Sequence, residues 1–131
     1  MNVKRAKKVI VSMLLVGMLA MLAISMALVA SAGIAKKQTA RSTQCGNGVV
    51  DWAFYSEGDQ RYSKIDTFYW VYANGFSGCT VVSKRAARSS MDPNKWVQGY
   101  ITAKYGSTTY LNDALIVSHY FDVTKGDIVL M

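Results

Sequence analysis

Between Val9 and Ala32 the chain carries no charged residue, and this one run limits what the rest can be. Leu, Val, Met, Ala and Ile dominate it. Lys4, Arg5, Lys7 and Lys8 precede it, and it closes on Ala30-Ser31-Ala32, the small-x-small pattern that signal peptidase accommodates. Residues 1–32 therefore read as a secretion signal, helical in the bilayer, with everything from Gly33 onward outside. The run is longer than the usual apolar region of a signal, and it could span about 30 Å of hydrocarbon as a retained anchor. Either way the basic start keeps the N-terminus inside. No cysteine follows closely, which argues against a lipid-anchored lipoprotein.

The remaining 99 residues suffice for one domain, and a domain of that size draws only modest stability from its core. Four of the 15 lysines and arginines lie in the signal. The exported part thus carries 11 cations against 8 acids, a net +3 where the whole chain has +7. That modest charge and an extracellular location make nucleic acid a poor partner. Cys45 and Cys79, an even pair in a small exported domain, read as a disulfide, with two free buried thiols as the alternative. With one histidine and two cysteines, no four-ligand zinc site can be made from Cys and His alone.

From Gly33 to Gln44 the sequence has few large side chains and no apolar period, and it reads as a flexible basic arm (33–44) ahead of a single β domain (45–131). Strand patterns follow at Val49–Tyr55 and Ile65–Ala73. Asn74-Gly75 is placed to form a two-residue hairpin turn, with Phe76–Ser83 as the return strand. Lys84–Lys95 is polar, with a turn at Asp92-Pro93-Asn94. Trp96–Ala103, Ala114–Val123 and Ile128–Met131 complete five or six short strands. This predicts an all-β fold, a small antiparallel sandwich or small barrel.

The only histidine, His119, could in principle join a serine and Asp51, Asp92 or Asp113 in a Ser-His-acid arrangement. Nothing in the spacing selects one, no strand-to-helix nucleophile elbow is present, and the eight acids are scattered. The sequence reads as a non-enzyme and carries no cofactor motif. Lys84, Arg85 and Arg88 place three cations in five positions beside Ser83, Ser89 and Ser90, a candidate grip on envelope phosphate, or else a solvated loop. All fifteen aromatics (three Trp, eight Tyr, four Phe) fall after the signal. A domain this small cannot bury them all, so some rings face a glycan, a membrane interface or a protein partner. The oligomeric state is left open, a homodimer included.

Gly46, Gly48 and Trp52, then Tyr62-Ser63 and Tyr69–Tyr72, Ser77–Val82, the basic Lys84–Ser90, Trp96 with Gly99 and Ala103, and His119-Tyr120-Phe121 follow one another in an order that resembles the lactococcin 972 family of secreted bacteriocins. Gly46 and Gly48 precede Trp52, and Tyr62-Ser63 and Tyr69–Tyr72 stand where the family has a Ser/Tyr-rich strand. Ser77-Gly78-Cys79-Thr80-Val81-Val82 is similar to the family's Ser-Ala-Thr-Val strand with one residue added. A basic Ser-containing stretch, a Trp near small residues (Trp96, Gly99, Ala103) and an aromatic strand (His119-Tyr120-Phe121) follow. Phe76 stands where the family has a His. The resemblance implies a β-sandwich, killing of related Gram-positive bacteria, and action on the cell-wall precursor lipid II without pore formation.

Overall fold

The computed structural model describes residues 33–131; residues 1–32, on which the expected secretion signal falls, lie outside the described residues. Among the described residues the chain forms seven antiparallel strands: β1 (Ile34–Cys45), β2 (Gly48–Asp59), β3 (Lys64–Phe76), β4 (Cys79–Arg88), β5 (Trp96–Tyr105), β6 (Thr108–Asp122) and β7 (Asp127–Leu130). They make two sheets, β1-β2-β3 and β4-β5-β6-β7. Each strand follows its sequence neighbour, so the whole is a meander folded once at the β3–β4 corner. The architecture is a β-sandwich, not a closed barrel. Residues 34–131 form one compact unit that holds all seven described strands, the disulfide and its own hydrophobic core, and a unit so built can fold alone.

The core follows from alternation. On β5, Val97, Gly99, Ile101 and Ala103 point inward while Trp96, Gln98, Tyr100 and Thr102 point out. Val50, Trp52 and Phe54 on β2 and Ile65 and Trp70 on β3 face them from the other sheet. Trp70 stands edge-on to both Trp52 and Phe54, with centroids 5.7 and 5.0 Å apart. These rings need space opposite, and β5 supplies it with Gly99. A Cβ there would lie 2.6 Å from the Trp70 ring.

Two expectations need correcting. The stretch 33–44 is no flexible arm: from Ile34 on it is β1, paired residue for residue with β2 from Ile34↔Asp59 to Cys45↔Gly48. Its buried positions are Ala35, Thr39 and Cys45, small or polar side chains that leave no hydrophobic period to read. The ordering comes from the ladder and from the Thr39 contact described below. The domain therefore spans 34–131.

The hairpin turn is also displaced. Asn74 and Gly75 pair with Asp51 and Val50 inside β3, and the chain reverses at Ser77-Gly78, whose φ values of 58° and 92° suit a primed turn. Turning at Asn74-Gly75 would strip Val49 and Val50 of their partners. Gly75 is needed for a different reason, because a Cβ would fall 2.0 Å from the Cys79 carbonyl oxygen. The return strand then enters the second sheet and does not pair with β3. It also runs through Arg88, into the segment expected to be a polar loop.

Cys45 and Cys79 are joined, Cα atoms 6.1 Å apart, as the sequence implied. The bond ties the end of β1 to the start of β4 and so crosslinks the two sheets. Closing a loop over 34 positions stabilises by roughly 3–4 kcal/mol on the chain-entropy argument.

Candidate functional site

Register places the outward side chains of β1, β2 and β3 in rows: Gln44–Val49–Phe76, Ser42–Asp51–Asn74, Ala40–Ala53–Tyr72 and Gln38–Tyr55–Tyr69. β3 contributes large rings to this outer face, and β1 contributes small or polar groups. Tyr69, Tyr72 and Phe76 are 48, 41 and 50% exposed. The size difference between strands produces a depression of about 340 Å³, walled by Tyr72 and Phe76 and floored by Ala40, with Arg41, Ser42, Asp51 and Asn74 as its polar lining. The Ser42 hydroxyl donates to the Asp51 carboxylate, so that acceptor is held in place across the β1–β2 ladder.

Farther along the same face Tyr55 and Tyr69 lie with ring centroids 5.3 Å apart. The Tyr55 phenol donates to Glu57 at 2.6 Å, and that bond, helped by partial burial, pushes the phenol up to about 12. The hydroxyl thus keeps its proton and stays a donor. A register shift between Ala53 and Phe54 leaves Val71 as an extra residue of β3, and the bulge turns Tyr72 outward beside it.

A second opening, about 400 Å³, lies between the sheets on the side where β1 faces β6 and β7. Arg41, Thr43, Trp52, Leu115, Leu130 and Met131 are among its walls. β7 pairs with β6 only from His119 to Asp122, and among the described residues the earlier part of β6 has no neighbouring strand on that side. The indole of Trp52 donates to Thr43 Oγ1 at 2.9 Å, joining two of the walls of this opening.

The three cations singled out in sequence share one strand but not one task. Arg85 points outward, its guanidinium 4.0 Å from the Tyr100 centroid, and donates twice to Asp113 at 2.9 Å. That pairing raises the guanidinium pKa and lowers that of the Asp113 carboxyl. Arg88, three residues on, points to the opposite side. It donates to the carbonyls of Ile65 (2.8 Å), Pro93 (2.9 Å) and Asp66 (3.4 Å) and lies over Phe68. Together with the Trp70 indole bond to the Arg85 carbonyl, it fastens β3 to β4 where no ladder does. Lys84 is exposed. Arg85 and Arg88 thus point apart, each held by partners within the domain.

His119 is fully buried between the sheets. Thr39 of β1 meets Nε2 at 2.8 Å and Ser56 of β2 meets Nδ1 at 2.5 Å, while Phe54 stands edge-on to the ring. Burial, with Lys37 adding repulsion, lowers its pKa to about 4. A neutral imidazole with both nitrogens bonded is a crosslink between sheets. Asp51 instead bonds Ser42, and Asp113 bonds Arg85, so neither acid serves the ring.

No family model, curated protein or solved structure matches this chain. The outer face of β1-β2-β3 was not anticipated residue by residue. Surplus aromatics indicated that such a face exists, but its position depends on the strand register.

Proposed function

We propose that the chain is an exported antibacterial domain that binds a component of the Gram-positive cell envelope, through the outer face of β1-β2-β3. One observation carries this reading: Tyr69, Tyr72 and Phe76 stand open to solvent beside a depression lined by Arg41, Asp51 and Asn74. Large rings cost free energy when left in water, and clustered exposed apolar area beside fixed polar groups is characteristic of recognition surfaces. The uncharged run before Gly33 supports export, and the ordered likeness to lactococcin 972 supports growth inhibition with lipid II as the target. Arg85 and Arg88, occupied within the domain, are better suited to holding the sandwich together than to gripping a ligand.

The test is growth of a Gram-positive panel exposed to oxidised residues 33–131, with and without purified lipid II. Inhibition relieved by lipid II is the expected result, and no inhibition across the panel refutes the antibacterial reading. The same face equally supports a non-toxic extracellular binding module. Envelope binding without any effect on growth selects that second reading.

A further inference from the structure

From the lining of the depression beside Tyr72 we infer its ligand class: a chain of uncharged pyranose sugars. The inference rests on the reading above that this face is the contact surface. Sugar rings offer two kinds of surface at once, an apolar C–H face and a rim of hydroxyls. The depression presents the matching pair. Tyr72 and Phe76 supply flat rings whose negative faces attract C–H groups, from backbone positions about 13 Å apart for four residues of extended strand. Between and beside them stand Asp51, Asn74 and Ser42. A carboxylate accepts from two neighbouring hydroxyls, an amide both donates and accepts, and the three groups sit in one row of the sheet.

Other ligand classes fit less well. A phosphate or pyrophosphate would meet the Asp51 carboxylate in the pocket, with Glu57 and Asp59 farther along the same strand, and only Arg41 as a lining cation. An extended peptide would add to a free strand edge, which here means the outer edge of β1 or β3, whereas the depression lies on the face across β2, whose backbone is paired on both sides. An acyl chain would need an enclosed apolar cavity, whereas this depression is shallow and half polar. At about 340 Å³ it lies at the small end of ligand sites, the right scale for a short stretch of a longer glycan crossing the face.

The experiment titrates oxidised residues 33–131 with N-acetylglucosamine oligomers and, separately, with inorganic pyrophosphate, using calorimetry. Tyr72→Ala and Asp51→Asn are the test variants; both sites are on the surface, so an unchanged melting temperature checks that they fold. In parallel, binding of each protein to intact Gram-positive cells is measured. Saturable binding of the oligomers, weakened several-fold to about tenfold by Tyr72→Ala as expected for losing one aromatic contact, supports the inference. Oligomers that do not bind, or that bind both variants like the parent, overturn it, as does competition by pyrophosphate. If Tyr72→Ala loses cell binding while the oligomers neither bind nor compete, the contact face stands and the sugar assignment alone falls. If Tyr72→Ala still binds cells, the contact face itself is wrong. Isolated wall sacculi and lipid II vesicles then separate finished wall from precursor as the source of the sugar, and either source satisfies the inference.

Discussion

Protonating His119 should loosen the sandwich, and the size of the effect can be worked out from its surroundings. In the unfolded chain the imidazole titrates at its ordinary 6.5, while in the fold burial holds it neutral down to about 4. Between those values the unfolded state carries the extra proton, so stability falls as pH falls through that window. Each pH unit of difference corresponds to about 1.4 kcal/mol, giving a total loss on the order of 3 kcal/mol by about pH 4. Below that the histidine contribution is constant. The lowered carboxyls of Asp113 and Asp122 start from 3.8, so their own loss comes at still more acid pH. The assay is urea unfolding followed by tryptophan fluorescence from about pH 7 to about pH 4, on the parent and on His119→Gln. Glutamine keeps a donor and an acceptor for Thr39 and Ser56 but does not titrate. The parent midpoint should fall across this range and the variant midpoint should not. A flat parent profile, or an identical slope in the variant, refutes the assignment of a neutral, doubly bonded His119.

Three further outcomes follow. Reducing the Cys45–Cys79 bond, which joins the two sheets, should lower the melting temperature by more than about 10 °C, given roughly 3–4 kcal/mol and the usual 4–8 °C per kcal/mol for a domain of this size. An unchanged melt after reduction counts against the bond. Gly99→Val forces a side chain against Trp70, Val117 and Phe54 and should cost about 1–3 kcal/mol in denaturant unfolding, with a wild-type midpoint as the contrary result. Arg88→Ala, losing carbonyl bonds from a charged donor, should cost about 1–2 kcal/mol, whereas Arg85→Ala, exposed and paired with Asp113, should leave the melting temperature nearly unchanged. Equal effects from the two would contradict their different placement.

The strands with large inward side chains were readable because their period shows in the residues themselves. Trp96–Ala103 alternates in the sequence and is β5. β1 could not be read this way. Its inward groups, Ala35, Thr39 and Cys45, are small or polar, and what orders it is the β2 ladder and a bond from Thr39 to a histidine 80 residues away. Asn74-Gly75 carried a strong local turn pattern that lost to pairing, since the β2–β3 ladder continues through Phe76. The disulfide was legible from cysteine count and setting. The cationic cluster was legible as charge, but its partners were not. Asp113, the Ile65 carbonyl and the Pro93 carbonyl reach Arg85 and Arg88 only once the sheets face each other. The aromatic face has the same history: Tyr72 and Phe76 are adjacent to Ala40 and Ser42 only through register.

Growth inhibition by oxidised residues 33–131, compared directly with Tyr72→Ala on the same Gram-positive panel, tests the central claim most directly. The account predicts inhibition by the parent, relief by added lipid II, and loss of activity in a Tyr72→Ala protein whose melting temperature is unchanged. Inhibition by Tyr72→Ala equal to the parent's would contradict the assigned face, and a panel unaffected by the parent would contradict the antibacterial role.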